Sequence, residues 1–304
     1  MNYLSYSAET AVYPLAPNIT LERAGENDFL NYWVAYRGVN EDYSQNFAEQ
    51  VTDLRGAPCF FWLKKGQQRL AGLLMMPNNI GDLFLIPPFA DLNKGLQWLM
   101  PQLRAWSNPE RNIIAQAILP QHLDAFLHAG FQLAESRRWM IRPTAILPFA
   151  QDNAFRWIMP TATDQDMIAE LFLAAFWGTI GERGQRTIKA HRRSVANYFA
   201  MDFPSSLFSE ASTLLYEKET GKPTAVCLVG LYKSHPSINF VATHPDYQGR
   251  GLGTALINRA ITLLQPHYPS VILRVTVGNL AEKLYEWLGF APATAVSTLL
   301  LPPM

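Results

Sequence analysis

The chain has 304 residues, 49% of them hydrophobic and 16% charged, with 25 basic side chains against 25 acidic ones. A sizeable core is available, which excludes a disordered chain, and the zero balance supplies no field to draw nucleic acid or an anionic membrane. No basic stretch followed by an apolar run opens the chain, and no apolar run reaches the ~18 residues of a membrane span, so neither a leader nor an anchor is expected.

In chain order, residues 1–17 carry Pro14 and Pro17 and read as an irregular lead-in. A short strand follows over 19–22, then a helix over 28–36 with Asn27 or Asp28 as N-cap. Residues 59–63, a turn at 64–68 and residues 70–76 read as strand, turn and strand. The segment 82–86 is another strand, stopped by Pro87 and Pro88. Leu96, Leu99, Met100 and Leu103 put an apolar face on a helix over 96–106. A strand over 112–118 and a short helix from His122 end in Gly130-Phe131. Cys59 and Cys227 each sit in an apolar, strand-like run. They read as buried thiols, not as a disulfide or a nucleophile, and fit a reducing cytoplasm.

That order then repeats. Residues 142–154, with Pro143 and Pro148, read as a linker. Phe155 to Ile158 starts a second copy, and its first helix begins at Thr163. Strand 213–217, a turn at 219–223 and strand 224–230 repeat the hairpin. His244-Pro245 matches Pro87-Pro88, and helix, strand, helix and Gly289-Phe290 follow. The element order implies a tandem duplication of one α/β unit, divided into 1–145 and 146–304.

The copies differ at one stretch. In the second, the strand ending at Val241-Ala242-Thr243 runs through His244-Pro245 into Gln248-Gly249-Arg250-Gly251-Leu252-Gly253-Thr254, and then into a helix. Glycines there let the backbone curl, and the free N–H groups of the first helical turn form a site for phosphate. The absence of a lysine after Gly253 excludes a P-loop. The Gly-x-Gly-x-Gly spacing and the short remaining chain exclude a dinucleotide fold. In the first copy only Gly95 stands near the place of Gly253, and Phe126 stands where the second copy has Tyr285.

The run from Gln248 to Gly253 resembles the Gln/Arg-x-x-Gly-x-Gly/Ala signature of the GCN5-related N-acetyltransferase (GNAT) family. Downstream, Asn279, Ala281, Leu284-Tyr285 and Gly289-Phe290 resemble that family's last helix and its exit. The resemblance implies an α/β (α+β) fold of two tandem GNAT-like domains, each a mixed, mostly antiparallel sheet flanked by helices, the first having lost the phosphate cradle. It implies acetyl-CoA as co-substrate, no metal, and a small-molecule or peptide amine as acceptor, with no nucleic acid or membrane partner. The protein would be a cytoplasmic monomer or homodimer. Backbone N–H groups of Gln248 to Thr254 would hold the coenzyme A pyrophosphate. The main chain of Val241, Ala242 and Thr243 would line the pantetheine arm and polarise the thioester carbonyl. Tyr285 would protonate the leaving thiolate.

Several roles stay open in the sequence. Arg250 either touches a phosphate or is solvated. Asn279 stands one position later than the family's asparagine, with Gly278 in the usual place; a shift of ~100° on a helix makes it either a cofactor contact or a helix cap. The general base is unassigned among His235, Asn239, His244, Glu217 and relayed water. The acceptor pocket is expected between residues 172 and 199, with loops at Phe176–Gly178 and Glu182–Gly184. His191-Arg192-Arg193 is either a solvated face or the contact for an acidic acceptor. Two other functions compete: a non-catalytic acyl-CoA-binding module, and an aminoacyl-tRNA-dependent transferase, which would want a basic groove.

Overall fold

The computed structural model describes residues 4–37, 59–180 and 187–303. It divides into two compact units, one running up to Arg138 and resuming at Ala293, the other spanning Trp139–Pro292.

In the first unit, β1 (Val12–Ala16) and β2 (Ile19–Arg23) lead into helix α1 (Glu26–Tyr36). Strands β3 (Phe60–Lys65), β4 (Gln68–Met76) and β5 (Asn79–Leu85) form an antiparallel meander. Helix α2 (Leu92–Trp106), β6 (Ile113–Ile118), α3 (Leu123–His128) and β7 (Gln132–Pro143) follow. The lead-in therefore contains a strand that proline content concealed: β1 pairs with β2, and Pro14 sits where the register shifts. An edge or bulge is where a residue without an N–H is tolerated in a sheet. Helix α1 starts earlier than expected, with Gly25 at its N-cap and no side-chain cap. Helix α2 also starts earlier, because Asp91 Oδ1 accepts from the Lys94 amide at 3.0 Å and caps it there. Tyr13, Phe29, Phe61, Leu63, Leu73 and Phe84 lie at the centre of the core, each no more than 1% exposed.

The second unit repeats the sequence of elements. It holds β8 (Phe155–Ile158), α4 (Gln165–Phe176), α5 (Ile188–Phe199), α6 (Leu207–Ala211), β9 (Thr213–Glu217), β10 (Pro223–Tyr232) and β11 (His235–Thr243). Then come α7 (Leu252–Leu264), β12 (Ser270–Thr276), α8 (Leu280–Trp287) and the short β13 (Ala291–Pro292). Its sheet runs β12-β11-β10-β9-β8, antiparallel except for the parallel β11/β12 pair. Helix α7 buries Leu252, Leu256, Ile257, Ala260, Ile261 and Leu264 on one side. Ala242, Val226 and Leu228 face a separate cluster with Phe172 and Val195.

Two features depart from the expected halves. First, β14 (Val296–Leu301) lies in the first unit, between β6 and β7, although a cut at 145/146 assigns it to the second. Sequence order alone does not reveal a strand that returns to an earlier sheet. Second, the segment read as a linker is a strand as far as Pro143, and beyond it lies against the second unit. The Thr144 amide donates to Pro269 O at 3.0 Å, the Leu147 amide to Thr262 Oγ1 at 3.0 Å, and Asn258 Nδ2 to Pro148 O at 2.9 Å.

The short helices before Gly130-Phe131 and Gly289-Phe290 close in the same way. Both glycines are left-handed, with φ of 94° and 86°. Phe131 N donates to Phe126 O, and Phe290 N to Tyr285 O, at 3.1 and 2.9 Å. This is a glycine-terminated helix end whose last carbonyls are satisfied from beyond the turn. Among the described residues no helix is long and apolar enough to cross a membrane.

Candidate functional site

The strand before the glycine turn is shaped by a bulge and a divergence. Leu228 pairs with Phe240 but Val229 with Ile238, which leaves Asn239 as the extra residue on β11. A bulge bends a strand and re-aims the residues beyond it. On the other edge of β10, where β9 has ended, Val229 is held by side chains. Its N–H donates to Ser212 Oγ and its C=O accepts from Tyr198 Oη, both at 2.8 Å. Ser212 and Tyr198 have no signal in the sequence, because a lone serine and a helical tyrosine carry no pattern.

Beyond the bulge, β11 and β12 separate. Their parallel pairing covers Ser237↔Ile272 and Ile238↔Leu273, yet the strands run on to Thr243 and Thr276. The edge of β11 over 239–243 is thus not paired with β12. Val241 and Thr243 turn their side chains toward α7: a Cβ on Gly253 would stand 3.6 Å from Thr243 Oγ1 and 3.9 Å from Val241 Cγ1. Ala242 points into the opposite layer, so it can offer only its main chain.

The turn itself is open. Gly249 and Gly251 both take φ of 76°, and nothing lies within 4 Å of where a Cβ would be. Gly251 is the N-cap of α7 and supplies no side-chain cap. Among the described residues, the amides of Gly249, Arg250, Gly251, Leu252, Gly253 and Thr254 donate to no protein acceptor. Free amides on a glycine curl at the positive end of a helix are an anion site. Gln248 differs from the expectation. Its amide donates to Pro245 O at 3.2 Å, and its side chain donates to Thr243 O at 3.1 Å, so it ties the turn to the strand end. Leu252 is buried by its side chain and offers only its amide.

The turn is braced from below. Tyr247 Oη donates to Glu217 Oε2 at 2.7 Å, and Thr220 Oγ1 donates to the same oxygen at 2.7 Å. The bond from Tyr247 is the main reason the Glu217 carboxyl lies below its ordinary value. That carboxylate is engaged in bracing the turn. The Arg250 guanidinium folds back over the Tyr247 ring at 4.8 Å and donates to Asp246 O at 3.3 Å. His244 Nδ1 accepts from the Asp246 amide at 3.3 Å and so finishes the turn.

Tyr285 lies on α8 beside the same core cluster that Val241 joins. Its ring meets Phe290 edge-on, with centroids 6.1 Å apart. By surface area it is half-buried, but enough protein surrounds the hydroxyl for burial to push it up to about 12, with the Cys227 thiol adding to the shift. Cys227 is the register partner of Val241. The phenol therefore stays protonated through neutral pH, close to the end of β11, and no described residue accepts from it. Asn279 resolves toward the capping role: its side chain accepts from the Ala281 amide at 3.0 Å and starts α8.

Around the far end, a Cβ on Gly278 would lie 3.9 Å from Ile180 Cδ1, which brings the exit of α4 next to the β12–α8 turn. Trp177, Ile180 and Leu280 are exposed by 67%, 47% and 85%. The expected loop at Glu182–Gly184 lies outside the described residues. The basic run does not form one charged face: His191 is buried, and Arg192 pairs with Asp166 at 2.9 Å.

Comparison with known proteins agrees with this geometry. Residues 209–292 match the model of the acetyltransferase (GNAT) domain. No curated protein sequence matches the chain. Among solved structures, a GCN5-related N-acetyltransferase from Sphaerobacter thermophilus superposes with a TM-score of 0.66 at 14% identity, covering 94% of this chain and 96% of that one. A tandem GNAT protein from the clavulanic acid biosynthesis pathway, solved without acetyl-CoA, gives 0.55 at 12%, covering 93% and 98%. A GNAT-family acetyltransferase from Colwellia psychrerythraea gives 0.52 at 13%, with the same coverage. At these identities the superpositions establish the fold, a mixed, mostly antiparallel sheet flanked by helices along nearly the whole chain. With the domain match over the glycine turn and the last helix, the second unit carries an acetyltransferase (GNAT) domain, within a fold shared with GNAT structures along nearly the whole chain.

Proposed function

We propose that the protein is an acetyl-CoA-dependent N-acetyltransferase that works through its second unit, from about residue 146 to Pro292, while the first unit serves as a scaffold without a cofactor loop. The observation that carries this reading is the run of unengaged amides from Gly249 to Thr254, set beside the diverging end of β11. Those amides hold the pyrophosphate of coenzyme A. Gln248 positions the turn without lending its own amide. The main chain of Val241, Ala242 and Thr243 lines the pantetheine arm, and an amide there polarises the thioester oxygen as charge builds on it. Tyr285, neutral at physiological pH, gives its proton to the departing sulfur. Asn279 acts by starting the helix that presents Tyr285, and Arg250 braces the turn through Tyr247.

The acceptor is a primary amine of a small molecule or peptide. It enters beside Trp177, Ile180 and Leu280 and attacks directly, with no acyl-enzyme. With Glu217 engaged by Tyr247 and Thr220, an acceptor whose amine is already neutral is favoured, its proton passing to water. The same engagement favours a second reading, a non-catalytic acyl-CoA-binding module. An amine panel with acetyl-CoA, followed by free thiol release, separates the two: amine-dependent release supports the transferase. Binding of coenzyme A, seen as a raised melting temperature, without release on any amine supports the module. No thermal shift at millimolar coenzyme A overturns both.

A further inference from the structure

The first unit has its own pair of diverging strands. β5 and β6 pair in parallel at Asn79↔Ile114, Ile80↔Ala115 and Gly81↔Gln116, then run on to Leu85 and Ile118. Arg37, the residue that closes α1, reaches into that divergence and is fully buried. Its Nη1 donates to Leu83 O at 2.8 Å, on one strand, and its Nη2 to Ala117 O, on the other. Its Nε lies 3.6 Å from Asp82 Oδ1. The guanidinium thus bridges the two strands just past their last paired residues.

The backbone is bent to receive it. Asp82 and Ala117 take φ of 48° and 55°, a region that non-glycine residues seldom adopt. Asn239 and Arg274, which follow the last pair in the second unit, do not. A planar fork of donors suits two carbonyls and a carboxylate at once, which a single ammonium does not. A buried guanidinium without such partners would be costly, so the slot and the side chain stabilise each other.

We propose that Arg37 is a built-in occupant of this slot: a plug in the place where the second unit leaves room for a thioester arm, so that the chain holds one acyl-CoA and the first unit none. The count of one rests on the function proposed above; the plug does not. The test is thermal unfolding of Arg37→Ala with ethylguanidinium or ethylammonium at millimolar, non-denaturing concentration. The variant melts at least ~6 °C below wild type. Ethylguanidinium restores part of that loss in the variant and leaves wild type unchanged, and ethylammonium restores none. Equal effects of the two ions, or no effect of either, overturn the proposal. If Arg37→Ala does not fold, Arg37→Lys replaces it: a melting temperature within ~1 °C of wild type overturns the plug, and a fall of several degrees supports it. Equilibrium dialysis of coenzyme A against wild type adds the stoichiometry. Two molecules per chain overturn the plug. None at all sinks the functional reading and leaves the plug to the thermal assay.

Discussion

Helices α2 and α7 hold the same place in the two units, each between a strand that ends in a proline turn and a strand that pairs in parallel. At the start of α2, Asp91 caps the Lys94 amide, and the Leu92 amide donates to Ala90 O. An aspartate there satisfies the helix and repels an anion. At the start of α7, glycine replaces the cap and the amides stay unused. The same architecture therefore gives a sealed end in one unit and a receptive one in the other. The difference lies in a few side chains, since both sheets diverge. On the function proposed above, a repeat loses a ligand by satisfying its own backbone, without any change of fold.

The comparison breaks first at Gly251. Gly251→Asp places a carboxylate and a Cβ at φ 76°, where L residues are strained. The thermal shift produced by coenzyme A is expected to disappear, and a retained shift would move the binding site elsewhere. Tyr285→Phe, which makes the second unit resemble the first at Phe126, should lower kcat by ~10²–10⁴-fold and leave the KM for acetyl-CoA within about two-fold. Because burial holds the phenol up to about 12, no alkaline loss of rate from this group is expected until well above pH 10. Phe126→Tyr should create no activity.

Acid stability should also differ between the units. His122 is buried in the first unit, and burial, aided by the Arg37 charge, lowers it from 6.5 to about 4. Folding then favours the neutral ring. Its contribution is complete above pH 6.5 and is lost as pH falls toward 4, by roughly 3 kcal/mol. Urea midpoints measured across that range should fall for wild type and flatten for His122→Asn. Asp91→Ala should cost ~1 kcal/mol, read as a drop of ~2–4 °C in melting temperature, without creating a second coenzyme A site. The smallest effect is expected at Gly253→Ala, whose new Cβ meets only ordinary contacts at 3.6 and 3.9 Å. Affinity for coenzyme A should change by less than about three-fold.

What could be read from the sequence was local. The glycine turn, the Gly-Phe helix ends and the repeated order of elements are written within a few residues of where they act. The divergence of β11 from β12 is set by pairing between residues more than thirty positions apart, and Arg37 meets Leu83 and Ala117 across longer spans still. A lone arginine after a helix has no signature. Gln248 matched a motif, yet its amide was already spoken for by Pro245, since a short helical turn precedes the glycines. Asn279 shows the converse, where one position of offset decided between contact and cap.

Strand β14 has a bearing on how the molecule is made. It is an interior strand of the first sheet, hydrogen-bonded on both sides, yet the ribosome reaches it only after every residue of the second unit. The nascent first unit must wait with β6 and β7 both lacking a neighbour, a state open to mispairing. Its completion is then a late, long-range closure, which folds more slowly than local contacts do. The unit that synthesis begins first is therefore the one that can be finished last.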